Sequence, residues 1–191
     1  ELISAMQNGA YDSNLKAVYL TDGAVDLQKP RYVEALNSFG ELFGFDREVS
    51  IMSAPGRTEV CGNHTDHNNG KVLAASINLD AIAVVSKNDD NIIRVKSKGH
   101  RMNVVDLNDL TPNEKNFGSS TTLVQGVAAG IKDLGFEVKG FDAYTTSDVM
   151  GGSGLSSSAA FEVLLGTVLS YLYNDGKINP VDIAKVAQYS E

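Results

Sequence analysis

Met150-Gly151-Gly152-Ser153-Gly154-Leu155-Ser156-Ser157-Ser158-Ala159-Ala160 is the stretch on which the reading of this 191-residue chain turns. Before it, residues 140–147 alternate Phe141, Ala143 and Thr145 with Asp142, Tyr144 and Thr146, the period-two pattern of a strand. After it, the apolar run over 157–173 predicts a helix roughly 25 Å long at 1.5 Å per residue. Strand, glycine turn and helix start together suit the grip of a phosphate. Glycines let the backbone approach a ligand closely, and the first turn of a helix offers unpaired N–H groups at the positive end of its dipole. The serine hydroxyls add donors and a possible magnesium ligand. The plainer alternative is a glycine turn with a serine helix cap, but three glycines and three consecutive serines exceed what a cap requires.

The kind of phosphate loop can be narrowed. A Walker loop needs a Lys before Ser or Thr, and no Lys occurs between Lys139 and Lys177. A dinucleotide fingerprint needs an acid at a strand end about twenty residues on, whereas Asp175 sits at a helix end. A protein-kinase glycine loop is followed by a strand, not a helix.

Working outward, Leu123, Val127, Ile131 and Leu134 recur at helical spacing over 121–134, with Gly135 as the ending glycine. Residues 102–107 read as a short strand and 113–120 as a polar loop. Residues 92–97 read as a strand, and the turn Asp89-Asp90-Asn91 predicts a hairpin joining it to one or two buried strands over 72–86. A short strand over 49–54 runs into Pro55-Gly56. A helix over 31–43 is expected, with Pro30 at its permitted first turn and Gly44 at its end. Residues 1–29 are weakly periodic and read as loose or short-helical. Asn174-Asp175-Gly176 ends the helix after the glycine loop, and Pro180 starts another. No internal repeat appears. The class expected is α+β, or mixed α/β, divided into an extension with a first helix over 1–48 and a domain over 49–191.

A second constellation, Pro55-Gly56-Arg57-Thr58-Glu59-Val60-Cys61-Gly62-Asn63-His64-Thr65-Asp66-His67-Asn68-Asn69-Gly70, holds two of the three histidines. Its Asp, Asn and His side chains suit a polyhydroxylated ligand. A solvated polar turn is the bland alternative, and a zinc site on Cys61, His64, Asp66 and His67 is a third. His100, alone in a turn, reads as a solvated surface residue.

Sixteen Lys and Arg against 24 Asp and Glu leave a formal charge of −8, which argues against a broad surface for nucleic acid or anionic membrane. One cysteine rules out a disulfide framework and a four-cysteine zinc site. No apolar run reaches membrane-span length and the first residues lack a signal-peptide pattern, so the cytoplasm is the expected location. The chain opens on Glu1 rather than Met, so a trimmed or partial chain is expected.

The two constellations, in this order and spacing, resemble the signatures of the GHMP small-molecule kinases, and within them the galactokinases. The first is similar to G-R-x-N-x-x-G-E-H-x-D-Y and the second to P-x-G-x-G-L-S-S-S-A, over about 53–191. The resemblance implies a mixed sheet backed by helices, of the ribosomal protein S5 domain 2-like fold. It implies transfer of the ATP γ-phosphate, with magnesium, to the anomeric hydroxyl of galactose or a related hexose. On this resemblance Arg57 lies near the reacting phosphate and substrate, and Asn63, His64 and Asp66 meet the sugar. Gly151, Gly152, Ser153, Gly154, Leu155, Ser156, Ser157 and Ser158 surround the triphosphate, and Ser158 and Glu191 serve the metal. The family's catalytic aspartate falls beyond Glu191, as does its C-terminal domain, so the 191 residues alone are expected not to turn over. Glu59, Asn63 and His67 stand where galactokinases carry Asn, Glu and Tyr, and Met150 replaces the proline that opens the loop. Galactokinases often place aromatic residues beside adenine just before the matching V-K-G-V element, whereas Ser120, Thr121, Thr122 and Leu123 precede Val124-Gln125-Gly126-Val127 here. A non-catalytic sensor of sugar and ATP on the same domain is the alternative reading.

Overall fold

A computed structural model describes residues 1–62, 70–111 and 118–191. Two compact units emerge, Glu1–Val49 and Ser50–Glu191.

The first unit is helical: α1 (Leu2–Gln7), α2 (Asp12–Tyr19) and α3 (Asp22–Phe43). Short helices were one of the two expectations for this region, but α3 begins well before Pro30, which lies inside it rather than at its first turn. The cost of an internal proline is offset at both ends of the extra segment. Thr21 caps it, its hydroxyl accepting from the Ala24 N–H at 3.3 Å. Val25 and Tyr32 are buried on either side of Pro30, and the Tyr32 hydroxyl pairs with that of Tyr19 at 2.9 Å. Tertiary packing of α2 on α3 thus holds a helix that local propensity would stop at Pro30.

The second unit is a five-stranded mixed sheet with helices packed against it. Its strands are β1 (Ser50–Cys61), β2 (Leu73–Lys87), β3 (Ile92–Ser97), β4 (Met102–Asp106) and β5 (Phe141–Ser147), in spatial order β1-β2-β5-β3-β4. Helix α4 (Ser120–Asp133) packs on β4 and α5 (Ser157–Tyr173) on β1 and β2, while α6 (Pro180–Ser190) packs on α4 and α5. The predicted α5 and β3 are found with those bounds, and the apolar region expected over 72–86 is one long strand. β1 is longer than expected: it continues through Pro55 and Gly56 to Cys61, with irregular register at Pro55/Arg57 and Glu59/Cys61. A proline is tolerated there because β1 is an edge strand interrupted by a bulge.

The expected β2–β3 hairpin does not form. β5 enters between the two strands, antiparallel to β2 and parallel to β3. Asn88 and Gly140 explain how the gap is held open. The Asn88 N–H donates to the Gly140 carbonyl at 3.1 Å, and its side-chain amide donates to Ile92 O and Asp142 Oδ1, each at 3.0 Å. Arg94 Nη1 adds a second donor to Asp142 Oδ1 at 3.2 Å. β5 is therefore an interior strand, with Phe141, Ala143 and Tyr144 buried alongside Asp142 and Thr145. A Cβ on Gly140 would stand 2.2 Å from Asn88 Oδ1 and 2.7 Å from the Ile92 backbone. Gly140→Ala is accordingly expected to destabilise the chain by about 2 kcal/mol, read as a lower urea midpoint with unchanged slope; an unchanged midpoint would show that the split tolerates a side chain.

The core lies between sheet and helices and includes Phe141, Ile93, Ile131, Leu164, Leu165 and Leu169. α5 is buried on most of its circumference, which rigidifies the element whose first turn carries Ser157 and Ser158. No helix among the described residues is long and apolar enough to cross a membrane.

Candidate functional site

The glycine loop leaves β5 at Ser147 and enters α5 at Ser157. Gly152 and Gly154 have φ of +74° and +75°, a conformation glycine adopts without strain. Ser156 is also left-handed, at φ 58° and ψ 57°, which costs a non-glycine residue energy and is typical of ligand-gripping segments. Ser156 occupies the N-cap of α5, yet its side chain makes no capping hydrogen bond. A serine serving as a cap would accept from a first-turn N–H group, and Ser156 does not. First-turn N–H groups without a side-chain acceptor can donate to an external anion.

β1 brings Arg57 to this loop. The Arg57 backbone N–H donates to the Leu155 carbonyl at 3.1 Å. Gly56 permits the approach, because a Cβ there would lie 3.0 Å from Val149 and 3.1 Å from the Leu155 carbonyl. A cleft of about 330 Å³ results, lined by Arg57, Glu59, Met150, Gly152, Gly154 and Ser156, Ser157 and Ser158. Arg57 Nη1 is 3.9 Å from Glu59 Oε2 on the same wall. A larger neighbouring cleft of about 470 Å³ shares Met150, Ser157 and Ser158, and is completed by Ser97, Lys98, His100, Ser120, Thr145 and Phe161 among others. The two clefts meet at the first turn of α5. His100 is exposed as expected, but it lines this second cleft rather than standing apart from any site.

Ser158 Oγ donates to Glu191 Oε1, so two residues distant in sequence form one oxygen pair at the cleft. One helical turn beyond Ser158, Glu162 is 1% exposed, with neither carboxylate oxygen hydrogen-bonded. Burial, and secondarily the charge of Glu191, push its carboxyl up to about 7. Sequence reading passed over Glu162; the available signal was a lone acid inside the apolar run that follows the serines. Hydroxyl and carboxylate oxygens beside an unsatisfied buried carboxyl are the hard donors that magnesium prefers. No group of three or more His, Cys, Asp and Glu among the described residues is arranged to hold a metal, so any cation there would need ligand oxygens as well.

Asn63, His64 and Asp66 lie outside the described residues, as does His67. Of the zinc alternative only Cys61 is described, and it is exposed at the end of β1.

Two family models match the chain: the galactokinase galactose-binding signature over residues 37–87, and the N-terminal domain of GHMP kinases over residues 122–191. Between them they span the arginine strand and the whole glycine-loop helix. The chain belongs to the GHMP kinase family. Among its relatives, a galactokinase of Streptomyces coelicolor is 37% identical over 80% of this chain, and one of Clostridium tetani is 32% identical over 83%. The match covers 39% and 40% of those proteins, so the chain spans about two fifths of their length. A crystal structure of Lactococcus lactis galactokinase complexed with galactose superposes with a TM-score of 0.73 at 28% identity, over 81% of this chain and 40% of that one. Mevalonate kinase of Methanococcus jannaschii shares the fold, with a TM-score of 0.63 at 20% identity.

Proposed function

We propose that the complete protein is an ATP-dependent sugar 1-kinase of the galactokinase type, and that this chain supplies its triphosphate-binding half. The observation that carries the reading is the uncapped start of α5 facing Arg57 across the 330 Å³ cleft. Phosphoryl transfer asks a protein mainly for positioning and charge stabilisation, with little covalent chemistry of its own.

In this reading the first-turn N–H groups of α5 donate to the phosphate oxygens, and Gly152 and Gly154 let the backbone close on them. Arg57 places a planar guanidinium where charge develops on the transferred group. The 470 Å³ cleft beyond Ser157 and Ser158 is large enough for the nucleoside, with Lys98, His100 and Phe161 on its walls. Ser158 and Glu191 would hold magnesium, which when bound neutralises charge on the phosphate oxygens. The acceptor is galactose or a related hexose, taken by Asn63, His64 and Asp66. The aspartate that removes the hydroxyl proton belongs to the C-terminal part, as the family resemblance implies. One exposed cysteine suits a cytoplasmic location.

The reading is tested by assaying ADP release with galactose and MgATP. The complete protein is expected to turn over and the 191-residue chain to show none. Equal turnover by the short chain would overturn the division of labour. Tight binding of both ligands without turnover by the complete protein would point to a sensor instead.

A further inference from the structure

The 330 Å³ cleft contains a charge that a site built only to attract phosphate would omit. Glu59 lines it with Arg57, Gly152, Gly154 and the serines, two positions beyond Arg57 on β1 and paired in register with Ala74, as Arg57 is with Ser76. Residues two apart on a strand share a face, and the Glu59 and Arg57 side chains form an ion pair at 3.9 Å. The Glu59 side chain is only 18% exposed against 43% for Arg57, so its carboxylate is screened less by solvent than an ordinary surface charge.

From this placement we infer that Glu59 is a specificity-determining residue that makes the cleft discriminate between metal-complexed and metal-free triphosphate. The inference rests on the nucleotide reading above. A carboxylate at the wall offsets part of the Arg57 charge and repels any anion that enters. The repulsion scales with the ligand's charge, and a free triphosphate carries roughly twice the net negative charge of its magnesium complex. A neutral side chain at residue 59 would leave Arg57 attractive to both forms. With Glu59 present the uncomplexed nucleotide is penalised more.

The test is equilibrium binding of the non-hydrolysable analogue AMPPNP to the complete protein, once with excess magnesium and once with EDTA. Glu59→Gln keeps the side-chain length and removes the charge. It is expected to tighten metal-free AMPPNP about tenfold and the magnesium complex, with half the charge, about threefold, narrowing the ratio between them about threefold. Asp175→Asn, which makes the same change of net charge on the α5–α6 turn, is expected to leave both affinities unchanged. Thermal melts of Glu59→Gln establish that it is folded, and Glu59→Asp, which keeps the charge, should preserve the wild-type ratio. Equal tightening of both forms, or no change in either, would overturn the discrimination while leaving the nucleotide reading intact. Failure of the wild-type protein to bind AMPPNP under both conditions would overturn the nucleotide reading and the inference with it.

Discussion

Arg57→Ala in the complete protein is expected to lower kcat by about 10²–10³-fold, the usual cost of losing one preorganised donor to developing charge. The effect should fall on kcat more than on the KM for sugar, because Arg57 lines the cleft formed with the glycine loop and the first turn of α5, where the proposed function places the triphosphate. Arg57→Lys should recover only part of the loss. Lysine keeps the charge but lacks the planar fork that pairs with two phosphate oxygens at once. Stability should change little, since the side chain is 43% exposed and the bond that ties β1 to the loop is made by the backbone N–H of residue 57. Steady-state kinetics of the three proteins, with thermal melts as control, decide the matter. Wild-type kcat in Arg57→Ala would remove this residue from the chemistry.

The second large effect is on stability and comes from Glu162. Its carboxyl is raised from an ordinary 4.5 to about 7 in the folded chain, first by burial and then by the charge of Glu191. Between those two pH values the folded state binds a proton that the unfolded state has released. The contribution of this group is therefore fully present below pH 4.5 and is lost as pH rises through 7, amounting to about 3 kcal/mol. Other carboxylates titrate in the same range, so the informative quantity is the difference between variants. Glu162→Gln, neutral at every pH, should gain on wild type by about 3 kcal/mol from pH 4.5 to 8 and level off there. Guanidinium unfolding in EDTA at several pH values measures this directly. A difference between the two proteins that does not vary with pH would show that Glu162 ionises in the fold at no cost.

How much of this was legible beforehand differs sharply between elements. The glycine loop and α5 were readable because their determinants are contiguous: glycines for the positive φ values, serines at the helix start, then an unbroken apolar run. β3 was equally local. The β2–β3 pairing was misread because a turn at Asp89-Asp90-Asn91 dictates only that the chain reverses. It does not dictate that the two strands touch, and the insertion of β5 depends on Gly140 fitting against Asn88 from fifty residues away. Pro30 misled for a related reason, since its penalty is local and the Tyr19–Tyr32 contact that outweighs it is not.

The site divides the same way. Arg57 and the serine turn could be nominated from residue types and spacing, because phosphate chemistry demands particular donors on a particular backbone. Which residues share a cleft was a different matter. That Glu59 faces Arg57, that Ser158 meets Glu191, that Lys98 and His100 line the neighbouring cleft, and that Glu162 is sealed from water all follow from strand register and helix packing. The linear sequence thus determined a glycine turn leading into an apolar helix and the family that carries it. The tertiary structure alone decided which charges surround that loop, because electrostatic interactions and burial depend on distances between segments that the order of residues along the chain does not specify.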